Sequence, residues 1–290
     1  MRHLLAADRV RFGRRRDLWI LVALVPVILA VMFVADFNGV TTPPQNQFFI
    51  DPPDPVLEEQ LRAQMLTEWR AGLERQLPGF AFPASLLKMA GNIGPVVLLS
   101  IYLATALVAG EFEWGTVRTV HLTASRGRTL AVRVGVVVGL IAVAVGIALL
   151  LGAIVPFFLQ VEGLPLQQYA APIPDFWAGM ASRLAVQLPF IAVPVLMAVI
   201  ARSIGFAFLL TLLFFVADIA ITGAPFWSSS PAPWVPAVTA SGSISRLLGG
   251  PDTPIAALAP VAVSFAAVLA WAVVPVLVAI ARFRRIDLDE

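Results

Sequence analysis

The chain has 290 residues, 59% of them hydrophobic and 13% charged, with a formal net charge of +2. Ordinary soluble proteins hold about 45–50% apolar and about 25% charged residues, so this composition excludes a water-facing globule. Cysteine is absent, which excludes disulfides and thiol chemistry and leaves the redox compartment unreadable.

Six charge-free apolar runs succeed one another: Leu18–Ala35, Met89–Gly110, Val134–Val161, Leu184–Ala201, Ser203–Ala217 and Thr253–Ala281. A helix rises about 1.5 Å per residue, so 18 residues reach roughly 27 Å, near the hydrocarbon thickness of a bilayer. The fifth run is short before Asp218, but apolar residues continue to Phe226 and complete it. The predicted architecture is an all-α integral membrane protein of six transmembrane helices. It forms one transmembrane domain over 1–290, with spans near 18–35, 89–110, 134–158, 184–201, 203–222 and 256–281. Fourteen of the twenty basic residues then fall on the side of the N-terminus: six before the first span, four in 111–133, Arg202, and three at the end. Basic residues resist translocation, so both termini are expected in the cytoplasm.

In chain order, residues 1–16 mix Leu4, Leu5, Val10 and Phe12 with six arginines. Such a segment lies in the headgroup layer, or simply fixes topology as a basic flank. The first span comes after Arg14–Arg16 but outruns a signal-peptide core and lacks a small-residue cleavage site, so a retained anchor is expected. The loop 36–88 is external and helical. Asp54 and Pro55 open a helix, and Leu57, Leu61, Met65, Trp69, Leu73 and Leu77 recur every four residues as one apolar stripe. Pro78-Gly79 ends it, and the stripe is expected to pack against the chain's own spans.

The third run exceeds one perpendicular crossing, and Pro156 marks where it bends or leaves the bilayer. Gly135 and Gly139, with Gly146 beyond them, are spaced for close helix packing, within the chain rather than between copies. Pro189 and Pro194 predict a kink in the fourth span. Between the fifth and sixth spans, Trp227 and Trp234 suit the membrane interface, and Val235, Val238, Ile244, Leu247 and Leu248 fit short helices dipping into the outer leaflet.

Catalytic signatures are missing. The only lysine, Lys88, precedes Met89, so there is no P-loop. His3 and His121 are the only histidines, too few for zinc hydrolysis or a Ser-His-Asp triad. No catalytic residue and no metal site is expected. Glu111 and Glu113, one residue apart on a helix, point in different directions and make no acid–base pair. Asp218 is the one ionisable residue enclosed in a span. About 22 Å from Arg202 along the helix, it lies near the outer surface, where snorkelling or a polar contact between helices accounts for it.

The sharpest local signal comes after the second span: Gly110-Glu111-Phe112-Glu113-Trp114-Gly115-Thr116-Val117-Arg118-Thr119-Val120-His121-Leu122, then Ser125-Arg126-Gly127-Arg128. Phe112, Trp114, Val117, Val120 and Leu122 supply apolar surface. Glu111, Glu113, Arg118, Arg126 and Arg128 are expected to stay wet, and Gly110 to let the chain turn from the membrane.

This stretch resembles the membrane-spanning permease subunit of type-2 ABC transporters, in which a Gly-Glu, a Gly-Thr and a later Arg come after the second span. Gly110-Glu111, Gly115-Thr116 and Arg126 match that order. The layout of basic N-terminus, six spans, apolar segment before the sixth, and basic cytoplasmic end is similar too. The motif covers about twenty residues and the architecture nearly the whole chain. The resemblance implies that 110–133 couples to a separate ATP-binding subunit carrying ATP and Mg, and that a second permease copy or sister permease completes the path. It implies a multi-pass protein of a bacterial cytoplasmic membrane, bathed in lipid, without nucleic-acid partners, and export as the usual direction. Two other functions are set against it: an ion-coupled carrier centred on Asp218, and a non-transporting scaffold or sensor.

Overall fold

In a computed structural model of the chain, the described residues are 16–44, 55–92, 94–113, 126–224, 234–249 and 260–285. Eleven helices are numbered among them. α1 is Arg16–Thr41, α2 is Pro55–Gln76 and α3 is Ala84–Gly91. α4 is Gly94–Glu113, and α5 is Arg126–Ile154. α6 is Phe176–Ala185, α7 is Pro189–Ala201 and α8 is Ile204–Thr222. α9 is Val235–Val238, α10 is Ala240–Gly249 and α11 is Val261–Arg284. Six helical segments are long and apolar enough to cross a membrane: α1, α4, α5 with its continuation to Phe158, α6 with α7, α8, and α11. Thus six spans agree with the six apolar runs.

The centre of the bundle falls to two of them. In the most apolar 18 residues of each span, 72% are buried in α4 and 61% in the α6–α7 pair, against 33% in α1 and α5, 22% in α11 and 17% in α8. α7 packs against α4, α8 and α11, and it is apolar all round because it has no outward face to keep polar. α1 packs on α5 and on α4. Leu18, Val22, Leu29 and Phe33 of α1 share one core with Leu103 and Leu107 of α4 and Val137 of α5. A second core joins Phe190, Phe215, Ile244 and Val268 from α7, α8, α10 and α11.

Several boundaries depart from the sequence expectation, and charge explains most of them. α1 runs past Ala35 to Thr41, since Asp36 meets Lys88 at 3.5 Å and does not end the helix. α5 starts at Arg126, eight residues before the expected span, because Arg133 is neutralised inside the protein. The second span begins at Gly94 rather than Met89, and Met89 belongs to the separate helix α3. Gly110 does not turn the chain away: it is helical (φ −58°, ψ −26°), and α4 continues through Glu113. The sixth span is described from Val261 to Arg284, three residues beyond its expected end.

Prolines act as expected in two places. The fourth span is broken between Ala185 and Pro189, which opens α7, and Pro194 is accommodated within it. α5 gives way to a 3₁₀ turn, Val155–Phe158, around Pro156. Just beyond it lies a small departure from an all-helical chain, where Gln160–Val161 pairs antiparallel with Leu164–Pro165. Glu162 and Gly163 close that hairpin with φ of 51° and 82°, the positive values a two-residue turn of this hand requires.

The helix expected over the external loop is present as α2. Its stripe is buried only toward the C-terminus, at Leu73 and Leu77, while Trp69 is half-buried and donates its indole N–H to the Val40 carbonyl at 3.1 Å. Leu57 is exposed. The stripe therefore covers the end of α1 with its C-terminal half alone. The short helices expected before the sixth span are α9 and α10, packed on α8 and α11. The basic segment 1–15 and the Trp227 region lie outside the described residues.

Candidate functional site

Glu111, Phe112 and Glu113, the last residues of α4, each reach a different neighbouring helix. Glu111 Oε1 lies 3.1 Å from Arg133 Nη2 of α5, with both side chains almost wholly buried. The ring of Phe112 meets Phe283 of α11 edge-on, with centroids 5.6 Å apart. Glu113 Oε1 accepts hydrogen bonds from Ser203 Oγ at 2.7 Å and from the Ile204 backbone N–H at 2.9 Å. Those two donors open α8, so Glu113 caps the N-terminus of a helix it does not belong to.

This divergence is a consequence of helix geometry. Residues one apart lie about 100° around the axis, so three consecutive side chains sweep most of a circle. The helix must be central for all three to find partners, and α4 is the most buried span. Just before the cluster, Thr105–Ala109 forms a π turn, fully buried. Thr105 Oγ1 donates to the carbonyls of Ile101 (2.8 Å) and Tyr102 (3.1 Å). A π turn carries one extra residue per turn and rotates the residues beyond it, which sets the direction in which Glu111 and Glu113 leave the axis. Gly127 of α5 lies against the Arg284 guanidinium of α11, so the same end of the bundle also ties α5 to α11.

Glu111 is therefore not wet, contrary to the sequence expectation. A lone buried carboxylate is costly, and the neutralising arginine makes burial tolerable. Glu113 is exposed but engaged, and the two acids do point apart as expected. Gly115 and Thr116 lie outside the described residues, as does the side chain of Arg126, whose backbone opens α5. Arg133, Ser203 and Phe283 were missed by sequence reading. Arg133 left one signal: an isolated cation between Val132 and Val134 at the edge of an apolar run.

Asp218 is buried, at 6% exposure, and joins two helices. Its Oδ1 accepts from the Ala240 N–H at 3.1 Å and its Oδ2 from the Ser241 N–H at 2.6 Å. Thr239 Oγ1 accepts from the Gly242 N–H at 3.2 Å. The first three N–H groups of α10, which a helix cannot satisfy itself, are thus all bonded to side chains. Thr222 Oγ1 also shares hydrogen bonds with Thr239 Oγ1 at 2.6 Å and Ser241 Oγ at 2.7 Å. Of the two expected roles, a polar contact between helices is the one observed. Asp218→Ala leaves the buried Ala240 N–H and the half-buried Ser241 N–H without their carboxylate acceptor, and hydrogen bonds to a charged group contribute about 1.5–3 kcal/mol. The expected result is a lower thermal unfolding midpoint in detergent, with Asp218→Asn intermediate.

Among the described residues nothing packs closely on Gly135 and Gly139: both are exposed, and a Cβ on either would meet no described atom within 4 Å. The face of α5 that packs inward is instead Val137, Leu140, Ile141 and Ala144.

No family model matches the chain, and neither a curated protein nor a solved structure matches it significantly.

Proposed function

We propose that this chain is the permease subunit of a type-2 ABC transporter, an exporter driven by a separate subunit that binds ATP and Mg. It resides in a bacterial cytoplasmic membrane with both termini inside and works as a pair, with a second copy or a sister permease. The observation that carries this reading is the anchoring of Glu111, Phe112 and Glu113 to α5, α11 and α8. A drive subunit pushing on the segment beyond α4 needs a stiff connection to several spans at once, and these three residues supply one at the base of the resemblance motif. Without such anchors a push would bend the linker and leave the spans in place.

Asp218 offers an ion-coupled carrier little support. Both its oxygens already hold backbone N–H groups, whereas a transported cation needs free oxygens.

The test is isolation of the tagged full chain from its native cells in mild detergent. An ATP-hydrolysing protein is expected to co-purify with it, and Thr116→Pro is expected to retain that protein while altering its ATPase rate. Recovery of the chain with no nucleotide-binding protein, even after chemical cross-linking, contradicts the reading and favours the scaffold.

A further inference from the structure

At the bundle end opposite Glu111–Glu113, a cavity of about 490 Å³ opens between α3, the turn after α2, the segment 171–174 and α6. Its wall holds two charged residues, Lys88 and Arg183, both cations, among Pro78, Leu87, Pro172, Ile173 and Pro174. We propose that this cavity binds a phosphate-class anion, held between the Lys88 ammonium and the Arg183 guanidinium.

Arg183 is set into its place rather than left on the surface. Its Nη1 donates to the Gly179 carbonyl at 3.2 Å. A Cβ on Gly91 would stand 3.2 Å from its Nε, and one on Gly179 would stand 3.3 Å from its Nη1. The guanidinium thus fits a slot between two helices that side chains there would crowd. Among the described residues no carboxylate pairs with it, and it keeps donors beyond the one bonded to Gly179. Guanidinium forks match phosphate oxygens, and a lysine beside one adds a point charge.

Lys88 approaches from α3. Its ammonium lies 3.3 Å above the centroid of the Phe80 ring and 3.5 Å from Asp36 Oδ2, so the ring and the carboxylate fix the charge at the cavity wall, and Arg183 supplies the cation that has no carboxylate partner among the described residues. Partial burial lowers its pKa, and Asp36 opposes that shift. Pro172 and Pro174 have no N–H to offer, so recognition rests mainly on the two side chains. In the orientation proposed above, the cavity lies at the outer membrane surface, where a lipid headgroup phosphate and a free phosphate are both at hand. The assignment does not depend on an ATP-driven partner.

The test uses the purified full-length chain and its thermal unfolding midpoint. One arm titrates inorganic phosphate in neutral detergent. The other compares vesicles of phosphatidylcholine alone with vesicles containing phosphatidylglycerol. Saturable stabilisation is expected from at least one anion, since a ligand that binds only the folded state raises stability with concentration. A response to phosphatidylglycerol alone identifies a headgroup, and a response to phosphate identifies the free anion. Arg183→Gln and Lys88→Gln should each weaken the effect about tenfold or more. Ile173→Glu, which leaves both cations in place, should do the same, while Arg70→Gln on the exposed face of α2 should respond as the unmodified chain. The proposal is overturned if neither anion stabilises the chain, or if the three cavity variants respond as it does.

Discussion

Glu111→Ala is expected to destabilise the folded chain by about 3–5 kcal/mol, because it removes the carboxylate that offsets the buried charge of Arg133. Arg133 is 3% exposed, so its guanidinium cannot reach water without moving the helix that carries it. The loss has two parts: the attraction itself, and the desolvation of the buried guanidinium, which the Glu111 carboxylate no longer offsets. Removing both ions separates them. In Glu111→Ala/Arg133→Leu the buried charge is gone and apolar volume replaces it, so most of the stability should return. Thermal unfolding of the two variants in one detergent makes the comparison. Equal midpoints for single and double variant would show that the pair is not a buried, mutually dependent unit.

The double variant also bears on mechanism. It keeps the bundle folded but replaces an ionic link between α4 and α5 with ordinary apolar contact. If the chain is driven as proposed and this link transmits the push, the double variant should still assemble with the proposed drive subunit and show altered ATP hydrolysis. A fully normal ATPase rate would leave the pair with a folding role only.

Gly242→Ala is the other change with a large expected effect. A Cβ there would collide with the Pro236 carbonyl oxygen, a backbone atom that no rotamer change can clear. Either α9 moves away or the first turn of α10 unwinds. Both disturb the N–H groups of Ala240, Ser241 and Gly242, and with them the hold of Asp218 on α10. Overpacking costs about 1–3 kcal/mol, and loss of a charge-assisted hydrogen bond adds about 1.5–3 kcal/mol. The expected result is a chain that inserts poorly or unfolds at a much lower temperature. Gly135→Ala, which meets open space, serves as the control and should be nearly neutral.

The two glycines mark the limit of sequence reading. Gly135 and Gly139 advertise themselves by a four-residue spacing, yet nothing among the described residues approaches them closely. Gly242 has no such pattern, because its neighbour comes from a turn six residues earlier and the closeness depends on the path of Thr239. Spacing reveals a helix face but not what stands opposite.

The spans themselves were legible, since hydrocarbon demands long apolar helices and leaves a mark on composition. Their ends were less so. Counting charge-free residues stops α1 before Asp36 and starts α5 after Arg133, yet both charges lie within helices because Lys88 and Glu111 neutralise them. These partners are distant in sequence and carry no local signal. Asp218 shows a third case. Its burial and its role between helices were within reach, but its partners are backbone N–H groups, and no residue type announces those.

The central claim is that the stretch after α4 is a handle on the cytoplasmic side, and the absence of cysteine makes a direct measurement possible. Trp114→Cys would carry the sole thiol of the chain. A membrane-impermeant maleimide should label it in inverted vesicles and not in right-side-out ones. Labelling from the outer face alone would contradict the account.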